Sequence, residues 1–185
     1  MRADVIHTGA VNGQGVRYCM PPTEGPDLPW VVFDDLAKAA GVPRKSRRRH
    51  ADITARHWPS ESKRARVNGV NELIANREVA KAFMFGLMEQ QLTTQEVLND
   101  CAQAEAGAAE LMFKRLNLPQ EERILWHFQV LAGGVPEFEL DGDTINVNLS
   151  DMERLTGIEA ATLGDAMFAA TSTPGPRLVA RKDGL

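Results

Sequence analysis

Two cysteines in 185 residues, Cys19 and Cys101, leave little room for sulfur chemistry. They stand far apart, neither belongs to a CxxC pair, and no Cys/His cluster has metal-ligand spacing, so neither a disulfide framework nor a zinc site is expected. No apolar stretch approaches the roughly 18 residues that a bilayer span requires. The opening MRADVIHTGA lacks the basic, apolar and small-residue succession of a secretion signal, and a cytoplasmic chain with both thiols reduced and buried is the expectation. Catalytic signatures are missing as well: there is no Ser-His-Asp order, no HExxH and no paired-carboxylate cleft. GAVNGQG is glycine-rich, but it lacks a Lys-Ser/Thr ending and opens no helix, so it reads as a hairpin turn and not a nucleotide loop. No catalytic residue, metal ligand or cofactor is assigned.

What the chain does have is unevenly spread charge. Its formal net charge is −4, yet residues 44–50 read RKSRRRH, five cations and a histidine in seven positions. From Arg44 to Arg66, nine cations (Arg44, Lys45, Arg47, Arg48, Arg49, Arg56, Lys63, Arg64 and Arg66) stand against two anions, Asp52 and Glu61. The remaining residues carry 12 cations and 23 anions. One cationic face on an acidic body points to a polyanion met by that face alone, the acidic remainder limiting non-specific adhesion. A charge run is ordinarily a solvated helix face, but Arg47, Arg48 and Arg49 are consecutive and unrelieved by nearby acids, which favours nucleic-acid contact.

The composition, 43% hydrophobic and 25% charged, fits a globular chain of one domain or two small ones. The expected fold is α+β and mostly helical: a small N-terminal hairpin with helices over residues 1–90, a connecting helix over 91–118 and a winged-helix-like domain over 119–185. VNGQG punctuates a hairpin leading into a strand over Val16 to Met20, PPTEGPDLP is a loop, and Trp30 to Phe33 form an apolar strand or a hydrophobic staple. A short helix follows, with Leu36, Ala39 and Ala40 on one face and Gly41 at its end. Good helix formers from Arg44 to His57 predict a second helix, closed by Trp58-Pro59. Val70, Leu73, Ile74, Val79, Phe83, Leu87 and Met88 keep a helical rhythm with a break over 75–77. Phe83, Met84, Phe85, Leu87 and Met88 wrap too far around their helix for one buried face, which reads as core plus a dimer or partner surface, with core alone as the alternative. Thr93 and Glu96 read as a capping box that opens a long helix through Val97, Cys101, Leu111, Met112 and Leu116. Beyond Pro119 the order is helix (QEERILWHFQVLAGG), strand (TINVN), two helices joined at Gly157, and strand (RLVARKDG), which is the order of a winged helix.

Two segments invite a helix-turn-helix comparison. With Gly41 as the turn, Ala37 and Val42 fit, but the packing positions of the second helix fall on Arg47 and His50, and burying an arginine there costs several kcal/mol. With Gly157 as the turn, Ile158, Leu163 and Ala166 pack properly. The reading helix EAATLGDAM then offers Glu159 and Asp165 and none of the side chains that pair with guanine or adenine edges. His50 and His57 share a helical face without a third ligand or carboxylate, so they read as structural histidines or phosphate donors. His127 reads as packing beside Trp126 and Phe128.

Pro29, Trp30, Val32, Asp35, Leu36, Ala37, Ala40, Gly41 and His50 stand in a pattern of the type Pro-Trp-Phe-Val-Ala-Lys-Asp-Val-Ala-x-Ala-Leu-Gly, followed by a basic stretch reaching a His. NELI at Asn71 to Ile74 then precedes Ala80, Lys81, Ala82 and Phe83, of the type Ala-Lys-x-Phe. Over residues 14–90 the chain thus resembles the N-terminal domain of phage anti-repressor proteins, the BRO-N family, departing from it at Gly69, Val70 and Asn71 where the family has Gly-Leu-Tyr. The resemblance implies a DNA-binding domain of a phage or other mobile element, joined to a variable second domain.

The expected function is that of a DNA-binding transcriptional regulator, not an enzyme. Arg44, Lys45, Arg47, Arg48, Arg49, His50, Arg56, Lys63, Arg64 and Arg66 would meet double-stranded DNA, with wing contacts from Arg177, Arg181 and Lys182. The acidic C-terminal part would form a homodimer or hold a protein partner, with no membrane involved. The alternative is a protein-binding antagonist whose arginines meet an acidic protein surface.

Overall fold

The computed structural model describes residues 1–119, 122, 123, 126, 138–141, 144–148, 150, 153, 154 and 177–181. The chain divides into two compact units, Met1–Gln120 and Glu121–Leu185.

In the first unit the elements run β1 (Arg2–Ala3), β2 (Val5–Val11), β3 (Gln14–Cys19), β4 (Trp30–Val32), α1 (Phe33–Ala39), α2 (Arg44–His57), β5 (Ser62–Val67), β6 (Val70–Ala75), α3 (Arg77–Glu89) and α4 (Gln95–Leu116). The six strands form one sheet in the order β1-β5-β6-β4-β3-β2, antiparallel except where β1 lies parallel to β5. Its two hairpins close on the same dipeptide. Asn12 and Gly13 have φ of 48° and 68°, Asn68 and Gly69 have 49° and 85°, and positive φ at both central residues matches the strand twist in a type I′ turn. Only Asp4 separates β1 from β2, yet these strands occupy opposite edges, so the sheet curls into a half-barrel whose edges are consecutive segments of the chain.

The curl gives the sheet two buried faces. Val16, Tyr18, Val31, Leu73 and Ala75 join the larger core with Phe33 and Leu36 of α1, Val79 and Met84 of α3 and Ala104 of α4. The alternate residues Cys19, Trp30, Val32 and Ile74 join Ala3, Ala65 and Val67 in a smaller core on the other face. Asp27 accepts from the Trp30 indole N–H at 2.9 Å, satisfying the one polar atom that this ring brings inside.

This sheet overturns the expectation of a mostly helical fold with a small hairpin. Residues 70–75, read above as the start of a helix, are β6, paired along its length with β5. The cause is burial on both faces: a strand buried on both sides shows a continuous apolar run instead of alternation, and Leu73-Ile74 then imitates helical spacing. The helix begins only at Arg77, where the Asn76 side chain caps it by accepting from Val79 N at 3.1 Å.

The capping box is corrected as well. The N-cap of α4 is Thr94, whose Oγ1 accepts from Val97 N at 3.4 Å; this puts Val97 and not Glu96 at the third helical position. The helix expected as a connector lies along β2 and belongs to the first unit. Its small residues have a packing role, because a Cβ on Gly9 of β2 would stand 2.4 Å from that of Ala104.

In the second unit β7 (Phe138–Asp141) and β8 (Thr144–Asn148) form an antiparallel hairpin, and β9 (Arg177–Arg181) joins β8 in parallel. Strands thus occupy TINVN and RLVAR, but β7 and the parallel pairing are foreign to the winged-helix order expected above. The helices expected over 120–134 and 149–171 lie outside the described residues, apart from isolated positions. No helix among the described residues is long and apolar enough to cross a membrane.

Candidate nucleic-acid interface

Gly41, at φ 85°, and Pro43 turn the chain out of α1 and into α2. Pro43 is the N-cap and offers no side-chain acceptor, and the first turn contains no acid, only Arg44, Lys45, Ser46 and Arg47. The helix macrodipole makes this end positive, so each cation here is unfavourable by a few tenths of a kcal/mol. An anion seated there would meet free backbone N–H groups and offset the cations together.

At about 100° per residue, Arg44, Lys45, Arg48, Arg49 and Arg56 fall on an arc of roughly 140°. All five are exposed. Asp52 lies within this arc and is engaged from both sides: Arg64 of β5 donates to its Oδ1 at 2.6 Å and Arg56 Nε donates to its carbonyl at 3.1 Å. Both side chains of the Arg64–Asp52 pair are nearly half exposed, so the bridge orients α2 on β5 more than it stabilises the fold. Arg66 lies on the same strand face as Arg64. Lys63 lies on the alternate face, its Nζ donating to the Pro59 carbonyl at 3.2 Å. Among the described residues, Arg44, Lys45, Arg48, Arg49 and Arg66 form no ion pair. An open cleft of about 700 Å³ between α2 and the β5–β6 hairpin is lined by Arg44, Arg47, Arg48 and Arg64 beside Asp34 and Glu72.

Two of the residues expected at DNA face inward instead. Arg47 is 13% exposed, its Nη1 lies 3.1 Å from Asp34 Oδ2, and its Nε is buried without a hydrogen-bond partner. His50 meets the edge of Phe83 at 5.7 Å, and Phe83 in turn packs on Phe33 at 4.6 Å. These are the packing positions that the helix-turn-helix register assigned to them. His57 is exposed beside Trp58. Arg177 and Arg181 are the end residues of β9 in the second unit, and Lys182 lies outside the described residues.

Sequence reasoning missed Arg17. Where β4 gives way to α1, Arg17 of β3 spans the gap to β6, donating to Asp35 at 2.6 and 2.9 Å and to Glu72 at 3.1 and 2.9 Å. The Asp35 hydrogen bond, with Glu72 beside it, outweighs burial and holds this guanidinium still more firmly charged than usual. The network fixes the first turn of α1 and so the platform from which α2 departs. Both thiols are quiet: burial pushes Cys19 and Cys101 up to about 11.

No protein-family model matches the chain, and no curated protein or solved structure matches it.

Proposed function

We propose that the protein is a DNA-binding transcriptional regulator of phage or mobile-element type, acting in the cytoplasm and gripping duplex DNA through α2 and the adjoining face of β5. The observation that carries this reading is the exposed arc of Arg44, Lys45, Arg48, Arg49 and Arg56, set beside a helix end that has no side-chain cap and no acid in its own first turn. Such an arc fits phosphates on both sides of a major groove about 12 Å wide, with base contacts left to the arginines that reach deepest. Arg47 and His50 hold the helix in place, Arg64 and Arg66 extend the phosphate track, and the resemblance to BRO-N domains supports the same assignment. A homodimer would make the second half-site contact intramolecular and so raise the affinity of a small interface.

The test is competition binding of the purified chain to duplex DNA from around its own gene, with random duplex as competitor. The reading expects a preferred fragment that random DNA displaces poorly, and loss of this preference in an Arg44→Ala/Arg48→Ala/Arg49→Ala variant that keeps Arg47. Absence of binding to any duplex at moderate salt, with capture of an acidic protein through the same arginines, would support the antagonist reading instead.

A further inference from the structure

Below the sheet, α3 and α4 flank a partly open cavity of about 220 Å³. Its walls are largely apolar, formed by Tyr18, Val31, Leu36, Met84 and Leu98. An apolar cavity of about 150 Å³ already accommodates benzene, so this one has room for a chain of about eight carbons.

Three charged residues also line it: Arg77 and Lys81, one turn apart on α3, and Glu105 on α4. Arg77 Nε approaches Glu105 Oε1 at 3.0 Å, and the two side chains are 22% and 19% exposed. Arg77 Nε is thus engaged by the Glu105 carboxylate, while Arg77 Nη1 is buried with no hydrogen-bond partner. Burial drives Glu105 toward its neutral form, against the pull of Arg77 and Lys81. Two cations against one acid, with a guanidinium nitrogen left without a partner beside an apolar wall, complement a ligand that is apolar along its length and singly negative at its end. A guanidinium edge matches the planar geometry of a carboxylate.

We propose that the α3/α4 cavity binds a small amphipathic monocarboxylate, its apolar body lying between the helices and its carboxylate on Arg77 and Lys81. The site is separate from the exposed arc of α2 and its occupation does not depend on DNA contact.

Isothermal titration calorimetry of the full chain with octanoate, 1-octanol and octylamine tests this. The expected result is saturable one-to-one binding of octanoate, about tenfold or more tighter than that of the alcohol or the amine. Ala102→Phe, which adds bulk from an exposed position on the cavity wall, should abolish it. Arg77→Met should weaken octanoate about tenfold and leave 1-octanol unchanged. Alcohol binding as tight as octanoate, no saturable octanoate binding at millimolar concentration, or octanoate binding indifferent to Ala102→Phe would each overturn the proposal. The comparison of three ligands on the unaltered chain decides the matter even where a variant fails to fold.

Discussion

Arg47 Nη1 stands 3.1 Å from Asp34 Oδ2 and so ties the middle of the basic run to the first turn of α1. Its neighbours Arg48 and Arg49 are exposed, which separates three consecutive arginines into one that anchors and two that are free. Asp34 is itself well exposed, so screening keeps the ion pair weak, and most of what Arg47 contributes is its packed aliphatic stem. Arg47→Ala should cost about 1 kcal/mol in urea unfolding, whereas Arg48→Ala and Arg49→Ala should stay within about 0.5 kcal/mol. Equal costs at all three positions would remove the distinction.

Gly9 and Ala104 make the tightest approach between sheet and helix, since a Cβ at position 9 would meet that of Ala104 at 2.4 Å and its Cα at 3.1 Å. Neither atom is the end of a flexible chain, so α4 must move as a body. Gly9→Ala should destabilise the first unit by about 1–3 kcal/mol. Gly15→Ala, opposed only by a threonine methyl at 3.2 Å, should cost less, and chemical denaturation of the two variants gives the order.

Two other glycines should respond with opposite signs. Gly69 closes the β5–β6 hairpin at φ 85° with open space around it, so Gly69→Ala meets no neighbour and still strains the backbone, at about 1–2 kcal/mol. Gly86 is helical with equally open space, so Gly86→Ala should raise stability by about 0.5–1 kcal/mol. Thermal unfolding of both variants checks the sign directly.

The contrast between these glycines also marks what could be read beforehand. The bounds of α2 are legible because Gly41, Pro43 and Trp58-Pro59 bracket a run of good helix formers. The second hairpin carries the same Val-Asn-Gly signal as the first, at 67–69 as at 11–13, but Leu73 and Ile74 conceal it by being buried on opposite faces of one strand. Charge density in the candidate site is a local property and survives in the sequence. The direction of each charge depends on which face of α2 packs; the cost of burying an arginine argues against packing Arg47 and His50, and both are expected at DNA, whereas Asp34 and Phe83 receive them. The Arg17 network has no local signature, because residues 17, 35 and 72 meet only where β4 ends between β3 and β6.

The thiols of buried Cys19 and half-buried Cys101 give a pH dependence of definite sign. Cys19 and Cys101 are pushed by burial from near 9 up to about 11, so between these values the folded chain keeps protons that the unfolded chain releases. Their contribution is therefore fully present below about pH 9 and lost as pH rises toward about 11. Stability of the wild type should fall across this window more steeply than that of a Cys19→Ala/Cys101→Ala variant, measured by urea unfolding at stepped pH. An aromatic disulfide reagent near pH 8 should label the native chain slowly and the urea-unfolded chain at once.

If the exposed arc of α2 neutralises phosphate, salt dependence counts the contacts. The decisive measurement is the slope of log affinity against log salt for duplex DNA, in the wild type and in Arg44→Ala/Arg48→Ala/Arg49→Ala. Each phosphate contact contributes about 0.9 to that slope, so the variant should bind more weakly and with a slope shallower by about 2.7. Equal slopes in the two proteins, or no binding by either, would contradict DNA contact through this helix.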